Sequence, residues 1–372
     1  MTQIIFHFLF LYVPLAKENC RLMDPNAHKK GLRNKLSKEQ ALKKLESEKF
    51  FRKTLSFYRY VILDNPELFR DELFKDWGDL DCLGRIYVAR EGINAQMNVP
   101  EHHWEKFITT LNKYEELKHI PLKIAVEDDG KSFYKLTIKV REQIVADGLP
   151  IDEYDVTDVG QHLDAQQWNE AIEQGAIVVD MRNHYESEIG HFENAICPQS
   201  ETFREELPEV KDMLKGQEYK KVLLYCTGGI RCEKTSAYLK HHGFKDVNQL
   251  HGGIIDYARQ LDENKQLANK FKGKNFVFDE RLSERISNDI ISSCHQCGEP
   301  SDTHVNCNNV NCNLLFIQCD SCQEKHQQCC SSDCLDIIQL TDEEQQKLRQ
   351  GIENKKRFHS HQKVDLSKTF KE

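Results

Sequence analysis

Cys226 heads the segment Cys226-Thr227-Gly228-Gly229-Ile230-Arg231, directly after the apolar run Lys221-Val222-Leu223-Leu224-Tyr225 and before a helical stretch, residues 232–242, that Gly243 stops. This order puts the cysteine at the carboxyl end of a strand and the amino end of a helix. There, backbone N–H groups of Thr227 to Arg231 and the helix dipole favour an anion. Arg231 adds a guanidinium, and Gly228 and Gly229 supply the backbone freedom that a tight cradle needs. The arrangement predicts a Cys226 thiolate at neutral pH, acting as a nucleophile. The loop is one residue shorter than the cysteine-to-arginine spacing that cradles a phosphate, so it suits sulfur or another small group and argues against a cysteine phosphatase. Asp180-Met181-Arg182-Asn183 ends a second apolar run, which should bring Asp180 and Arg182 to the same crevice as support for the cradle. Asp180 reads as a brace on the loops before it reads as a catalyst, and structural roles are expected for Glu186, Glu188 and His191.

A second chemistry is written near the carboxyl terminus. Nine of the 14 cysteines fall between Cys294 and Cys334, in the pairs Cys294/Cys297, Cys307/Cys312, Cys319/Cys322 and Cys330/Cys334, with Cys329 surplus to the last pair. Paired spacing of this kind predicts two tetrahedral four-thiolate zinc sites in a reducing compartment, not a disulfide framework. Sequential and cross-braced pairings both fit the spacing, and His304 is a possible substitute ligand. An iron–sulfur cluster is the lesser alternative.

Elements able to position these residues follow from periodicity. Ser37 with Gln40 forms a capping box for a short helix. Residues 55–63 read as a strand, Pro66 starts a helix with Phe69, Leu73 and Trp77 on one face, and strands over 84–89 and 93–99 join at a Glu91-Gly92 turn. A helix over 101–114 and strands near 122–126 and 133–140 complete a ferredoxin-like split βαβ domain. Aromatic residues Tyr58, Tyr60, Tyr87 and Phe133 on these strands are candidates for stacking on nucleotides, but core burial is the commoner fate of such residues. Strands at 176–180, 222–225 and 247–250, alternating with helices, make the middle of the chain a doubly wound α/β domain. The chain thus divides into an extension (1–23), a basic arm (24–53), the ferredoxin-like domain (54–150), the α/β domain (151–270), the cysteine-rich module (271–340) and a basic polar tail (341–372). The fold class is α/β and α+β, multidomain.

The formal net charge of -9 conceals an uneven distribution: residues 29–59 hold 11 basic and 3 acidic side chains, and residues 345–372 hold 8 and 3. Basic ends on an acidic body predict that the ends grip a polyanion. The apolar stretch 4–15 is too short to span a bilayer and has no basic flank, so neither a membrane span nor a secretory signal is expected; residues 1–22 read as an over-long start before Met23.

The segments Asp180-Met181-Arg182-Asn183-His184-Tyr185-Glu186 and Cys226 to Lys234, with Gly84-Arg85-Ile86-Tyr87-Val88-Ala89-Arg90-Glu91-Gly92-Ile93-Asn94 and Gly273 to Arg281, resemble the rhodanese-related tRNA uridine hydroxylases over roughly residues 36–340. The resemblance implies that the α/β domain is a rhodanese domain. It further implies oxygen-dependent conversion of the wobble uridine to 5-hydroxyuridine, in the cytoplasm, with Cys226 as the required cysteine. Molecular oxygen is then a co-substrate, the tRNA anticodon loop the partner, and an unidentified electron donor is needed. No flavin or NAD motif and no iron triad is visible, so a thiolate adding to uracil C6 is the expected chemistry, with a Cys226 persulfide as the competing intermediate. A sulfurtransferase and a non-catalytic zinc-stabilised RNA-binding protein are the alternatives.

Overall fold

The computed structural model describes residues 32, 34–150, 153–350 and 365–370. The extension 1–23, the first part of the basic arm and residues 351–364 of the tail therefore lie outside the described residues. The described residues from Asn34 onward form one unit, to which everything below refers.

Helix α1 (Lys38–Ser47) opens on the expected capping box: the Ser37 hydroxyl accepts from the Gln40 amide and the Gln40 side chain from the Ser37 amide. Then follow β1 (Arg52–Tyr60), α2 (Pro66–Gly78), β2 (Leu83–Ala89), β3 (Gly92–Pro100), α3 (Trp104–Leu111), β4 (Lys123–Ile124) and β5 (Leu136–Val140). Their sheet runs β4-β1-β3-β2-β5. The first four strands are antiparallel neighbours in the split βαβ order, and β5 extends the edge by pairing parallel to β2. The hairpin turn is Arg90-Glu91, one residue earlier than the spacing suggests. Gly92 has φ 142° and already pairs with Tyr60; a Cβ there would lie 2.0 Å from the Arg59 carbonyl oxygen.

Strand alternation sorts the side chains of this sheet onto two faces. Leu55, Phe57, Ile86, Val88, Ile93, Ala95, Met97 and Val99 pack on Leu73, Trp77 and Phe107 of the helices. The other face carries Ser56, Tyr58, Arg85, Tyr87, Asn94 and Gln96, and it is turned toward the second domain.

That domain comprises β6 (Gln161–Leu163), α4 (Ala165–Glu173), β7 (Ile177–Asp180), α5 (His184–Ser187), β8 (Gly190–Phe192), α6 (Phe203–Met213), β9 (Lys221–Tyr225), α7 (Ile230–His241), β10 (Asp246–Leu250) and α8 (Gly253–Glu263). The all-parallel sheet β6-β10-β9-β7 has an apolar cluster on each face, one around Leu207, Val222, Leu224 and Leu239, the other around Trp168, Val178, Leu223 and Tyr257. It is doubly wound, as expected.

Strand β11 (Phe271–Phe276) pairs antiparallel with β8 and with β12 (Ser283–Arg285), so the segment after residue 270 continues the second domain before the cysteines begin. A hairpin of β13 (His304–Asn306) and β14 (Leu315–Ile317), then α9 (Asp320–His326), α10 (Ser332–Ile338) and α11 (Asp342–Arg349), complete the described chain apart from a turn at Leu366–Lys368. The module has more apolar packing of its own than its composition suggests. Leu315 and Ile317 pack on Tyr185, Ile189 and Phe276, while Val305, Leu314 and Phe316 pack with Leu366 and Phe370, so part of the polar tail returns to cover the module. Among the described residues no helix is long and apolar enough to cross a membrane.

Candidate active site

The β9-to-α7 junction forms because a fully buried strand, Val222 to Tyr225, ends where Gly229 takes φ 96° and starts the helix. The positive φ at Gly229 favours glycine there, and a Cβ would in addition crowd the Tyr58 hydroxyl, 2.9 Å away. The Gly229 amide points at the Cys226 sulfur, 3.1 Å away. Burial by itself would raise the Cys226 pKa. The hydrogen bond from the Cys232 thiol, the Arg231 charge and the Arg231 and Cys232 amides outweigh it and bring the pKa down to about 6. Cys232 is pushed well up, by burial first and then by donating to Cys226, so it stays a thiol.

Arg231 is fixed by Glu186 through two hydrogen bonds of 2.6 and 2.9 Å, and Glu186 is fully buried. The Thr227 hydroxyl lies 3.5 Å from Glu186 Oε2 and 3.4 Å from the Phe276 carbonyl, tying the loop to β11. Asp180 and Arg182 do not reach the crevice. Both are fully buried, paired with each other at 2.6 and 2.8 Å, and bound to Tyr225 Oη (2.7 Å) and the Gly190 carbonyl (2.6 Å). They are a brace beneath the loop, because β8 and β11 close over the strand end that the sequence left open. Glu188 pairs with His295 (2.9 Å) and His191 with its neighbour's carbonyl (3.1 Å), both structural contacts.

Cys226 opens into a cavity of about 310 Å³ whose opposite wall is the polar face of the first domain. Cys226, Thr227, Gly228, Ile230 and Arg231 form one side; Ser56, Tyr58, Arg85, Tyr87, Asn94, Gln96, Lys123 and Phe133 form the other. Tyr58, Tyr87 and Phe133 thus line the site; Phe133 is buried, as strand aromatics usually are, whereas Tyr58 and Tyr87 are half-buried and stand apart from the helix-packed core, because a sheet with helices on one side only has a second face to furnish. Tyr60 stands just outside the cavity, its hydroxyl 3.4 Å from the Ile230 carbonyl. Tyr58 donates to Glu233 (2.9 Å), and Lys234 is buried against Glu91 (3.1 Å) and Asp147 (3.0 Å), so the two residues after Cys232 clamp the first domain over the loop.

Sequence reading missed Lys123, Asn94 and Gln96. Lys123 is buried, with its Nζ 4.3 Å from the Tyr58 ring centre. Burial lowers its pKa to about 8, with the Cys226 charge opposing that fall. Asn94 and Gln96 are linked by a 2.8 Å hydrogen bond and offer amide donors and acceptors side by side. Their alternation with Ile93, Ala95 and Met97 was the available signal.

The eight cysteines gather into two groups, Cys294/Cys297/Cys319/Cys322 and Cys307/Cys312/Cys330/Cys334, in each of which the sulfur atoms lie within 4.8 Å of one another. The pairs therefore interleave in the cross-braced order. Sulfur separations of 3.6 Å (Cys297–Cys319), 3.6 Å (Cys312–Cys330) and 3.8 Å (Cys330–Cys334) match the edge of a tetrahedron about a zinc with Zn–S of about 2.3 Å. Cys329 lies outside both groups. His304 is no ligand either: it is buried against Phe276, and burial lowers its pKa to about 3.

Three family descriptions match the chain: "UPF0176 acylphosphatase like domain" over residues 52–144, "Rhodanese-like domain" over 164–260 and "Rhodanase C-terminal" over 272–335. The chain is 57% identical over 337 residues to the tRNA uridine(34) hydroxylase of Leptospira interrogans, covering 90% of this chain and 92% of that one. It is 51% identical to the protein of that name from Hamiltonella defensa (87% and 92% covered) and 51% identical to that of Yersinia enterocolitica (87% and 93%). A solved rhodanese-like domain from Anabaena sp is similar at 18% identity over 30% of this chain and 78% of that one, with a TM-score of 0.24, too low to argue from.

Proposed function

This chain belongs to the tRNA uridine(34) hydroxylase family, and from that premise we propose that Cys226 is the nucleophile through which it modifies the wobble uridine. It is an enzyme, its reaction is hydroxylation of uridine 34, and tRNA is its substrate. One observation carries the proposal: a cysteine whose pKa is lowered to about 6 opens into a cavity walled by aromatic rings and paired amides. Such a cavity suits a base swung out of its loop, with rings to stack on and amides to read its edge.

In the proposed reaction the Cys226 sulfur bonds to C6 of uracil and the C5=C6 electron pair moves toward O4. Lys123, a protonated donor across the cavity from the loop, stabilises that developing oxyanion. C5, keeping its own hydrogen, then bonds to molecular oxygen, and the distal oxygen takes up a proton to give a C5 hydroperoxide. A thiol reductant supplies two electrons and two protons to break the O–O bond, leaving C5–OH and releasing water. Loss of the C5 proton and departure of the Cys226 thiolate restore the C5=C6 bond. The sum is uridine, oxygen, two electrons and two protons giving 5-hydroxyuridine and water. No step uses a redox metal. The two four-thiolate groups fit zinc, and in that role they brace the fold, since a closed site has no open position for substrate. The work is assigned to the cytoplasm, where tRNA is found.

Purified protein incubated with tRNA, a dithiol and ¹⁸O₂ tests this reading by mass spectrometry of the nucleosides. The label should appear in 5-hydroxyuridine. Label arriving only from H₂¹⁸O would overturn the oxygen step.

A further inference from the structure

The cavity at Cys226 admits a base, but a base arrives on a charged strand that must be held. The first domain's polar face continues beyond the cavity in two cross-strand rows. One runs Lys123–Ser56–Gln96–Arg85–Thr137 and the other Tyr58–Asn94–Tyr87–Lys139, each step a registered neighbour pair. Side chains along such rows share one face and stand within reach of the next. The rows begin beside Cys226 and end on the edge strand β5.

At that end Lys38, Arg85, Lys135, Lys139 and Arg141 surround a second cleft of about 350 Å³. Lys135, Lys139 and Arg141 are exposed. They alternate with the buried Leu136 and Ile138, so strand periodicity aims all three the same way. Aromatic rings interleave with the charges: Lys38 and Lys135 stand 5.9 and 5.5 Å from the Tyr134 ring centre, and Arg141 5.5 Å from that of Tyr87. Arg85, Tyr87 and Phe133 belong to both clefts, which makes them continuous. Acidic groups at the cleft are Asp279, bound to Arg281 at 2.6 and 2.9 Å, and Glu280. Cations interleaved with rings along a groove are the arrangement that holds a single-stranded nucleic-acid backbone.

We propose that this β2–β5 strip, Lys38, Arg85, Lys135, Lys139 and Arg141, is the track on which the anticodon-loop backbone lies while its base reaches Cys226. The inference rests on the reading of the Cys226 cavity as the uridine site. Apart from Lys38, which belongs to the basic arm, it also places the grip away from the basic ends to which composition assigned it. Within the basic run at 29–59, several charges already serve the fold: Arg52 is buried on Glu48, Lys43 pairs with Glu39, Lys44 with Asp81, and Arg59 bonds the Glu116 and Lys118 carbonyls.

The test is the full-length triple variant Lys135→Gln/Lys139→Gln/Arg141→Gln beside Lys43→Gln/Lys44→Gln/Lys49→Gln, with tRNA affinity measured across salt concentrations. The first variant should bind at least about tenfold more weakly. Its log-affinity against log-salt slope should be shallower by about 2, from about 0.7 per lost phosphate contact on a single strand. The Cys226 alkylation rate, unchanged from wild type, shows that the loop is intact. The second variant should keep most of the slope. Wild-type affinity and slope in the first variant, or loss of slope in the second alone, overturns the track. A wild-type protein that binds tRNA with the full slope yet hydroxylates no uridine would instead overturn the reading of the cavity.

Discussion

Arg231 is held by Glu186 in a fork of two hydrogen bonds, 2.6 and 2.9 Å, while its backbone amide and its charge both bear on Cys226. The arginine is therefore an anchored part of the loop and not a mobile counterion. For a thiol whose pKa is lowered to about 6, the reactive thiolate is scarce below that pH, rises through it and is complete above it. Alkylation of Cys226 by iodoacetamide should follow that curve. In Arg231→Gln the midpoint should rise by about one unit or more, as expected when a cation within contact distance is removed. A midpoint that stays near 6 would show that the amides and Cys232 suffice.

Lys123 titrates on the other side of neutrality. Its pKa, lowered by burial to about 8, means that the ammonium is present below that pH and lost as pH rises through it. With Cys226 supplying the acid limb, kcat/KM should rise through about pH 6 and fall through about pH 8. Lys123→Gln should reduce kcat by about 100-fold, the scale for removing one oxyanion donor, and should abolish the alkaline limb. Lys123→Arg should recover part of the rate and move the limb upward. If the alkaline limb survives in the glutamine variant, another group is responsible for it.

The interleaved cysteine groups predict about two zinc ions per chain by elemental analysis. Cys297→Ser should lower this by about one, leaving the group around Cys312 and Cys330 loaded. Zinc-peptide affinities of about 10–16 kcal/mol exceed what so small a cluster as Val305, Leu314 and Phe316 can bury. A chelator should therefore loosen the α9 and α10 segments first, while β14 stays docked on Tyr185 through Leu315 and Ile317. A single iron cluster, or a folded module without metal, would contradict this.

The Cys226 cradle was legible because one strand, two glycines, an arginine and a helix are contiguous in the chain, and the four cysteine pairs because ligand spacing within a pair is local; which pairs share a group depends on folding and stayed open in the sequence. What faces Cys226 was not legible. Lys123 and Asn94 come from β4 and β3 of another domain, and only docking brings them opposite the loop. The same non-local closure keeps Asp180 and Arg182 out of the crevice in which the sequence placed them, while the bracing role read for Asp180 stands. Three-residue strands such as β8 are too short to show a period, and β8 with β11 is what buries that pair. Tyr87 was weighed as core because strand aromatics usually are; its neighbours Ile86 and Val88 are the core residues, and Tyr87 takes the opposite face.

The role of Cys226 is tested most directly in a strain that lacks its own wobble-uridine hydroxylation, supplied with either the wild-type chain or Cys226→Ser. Serine keeps the size of the side chain and cannot supply a thiolate, so the variant should fold, bind tRNA and restore no 5-hydroxyuridine at position 34 by nucleoside mass spectrometry, while the wild type restores it. Equal restoration by both chains would remove Cys226 from the chemistry and contradict the account.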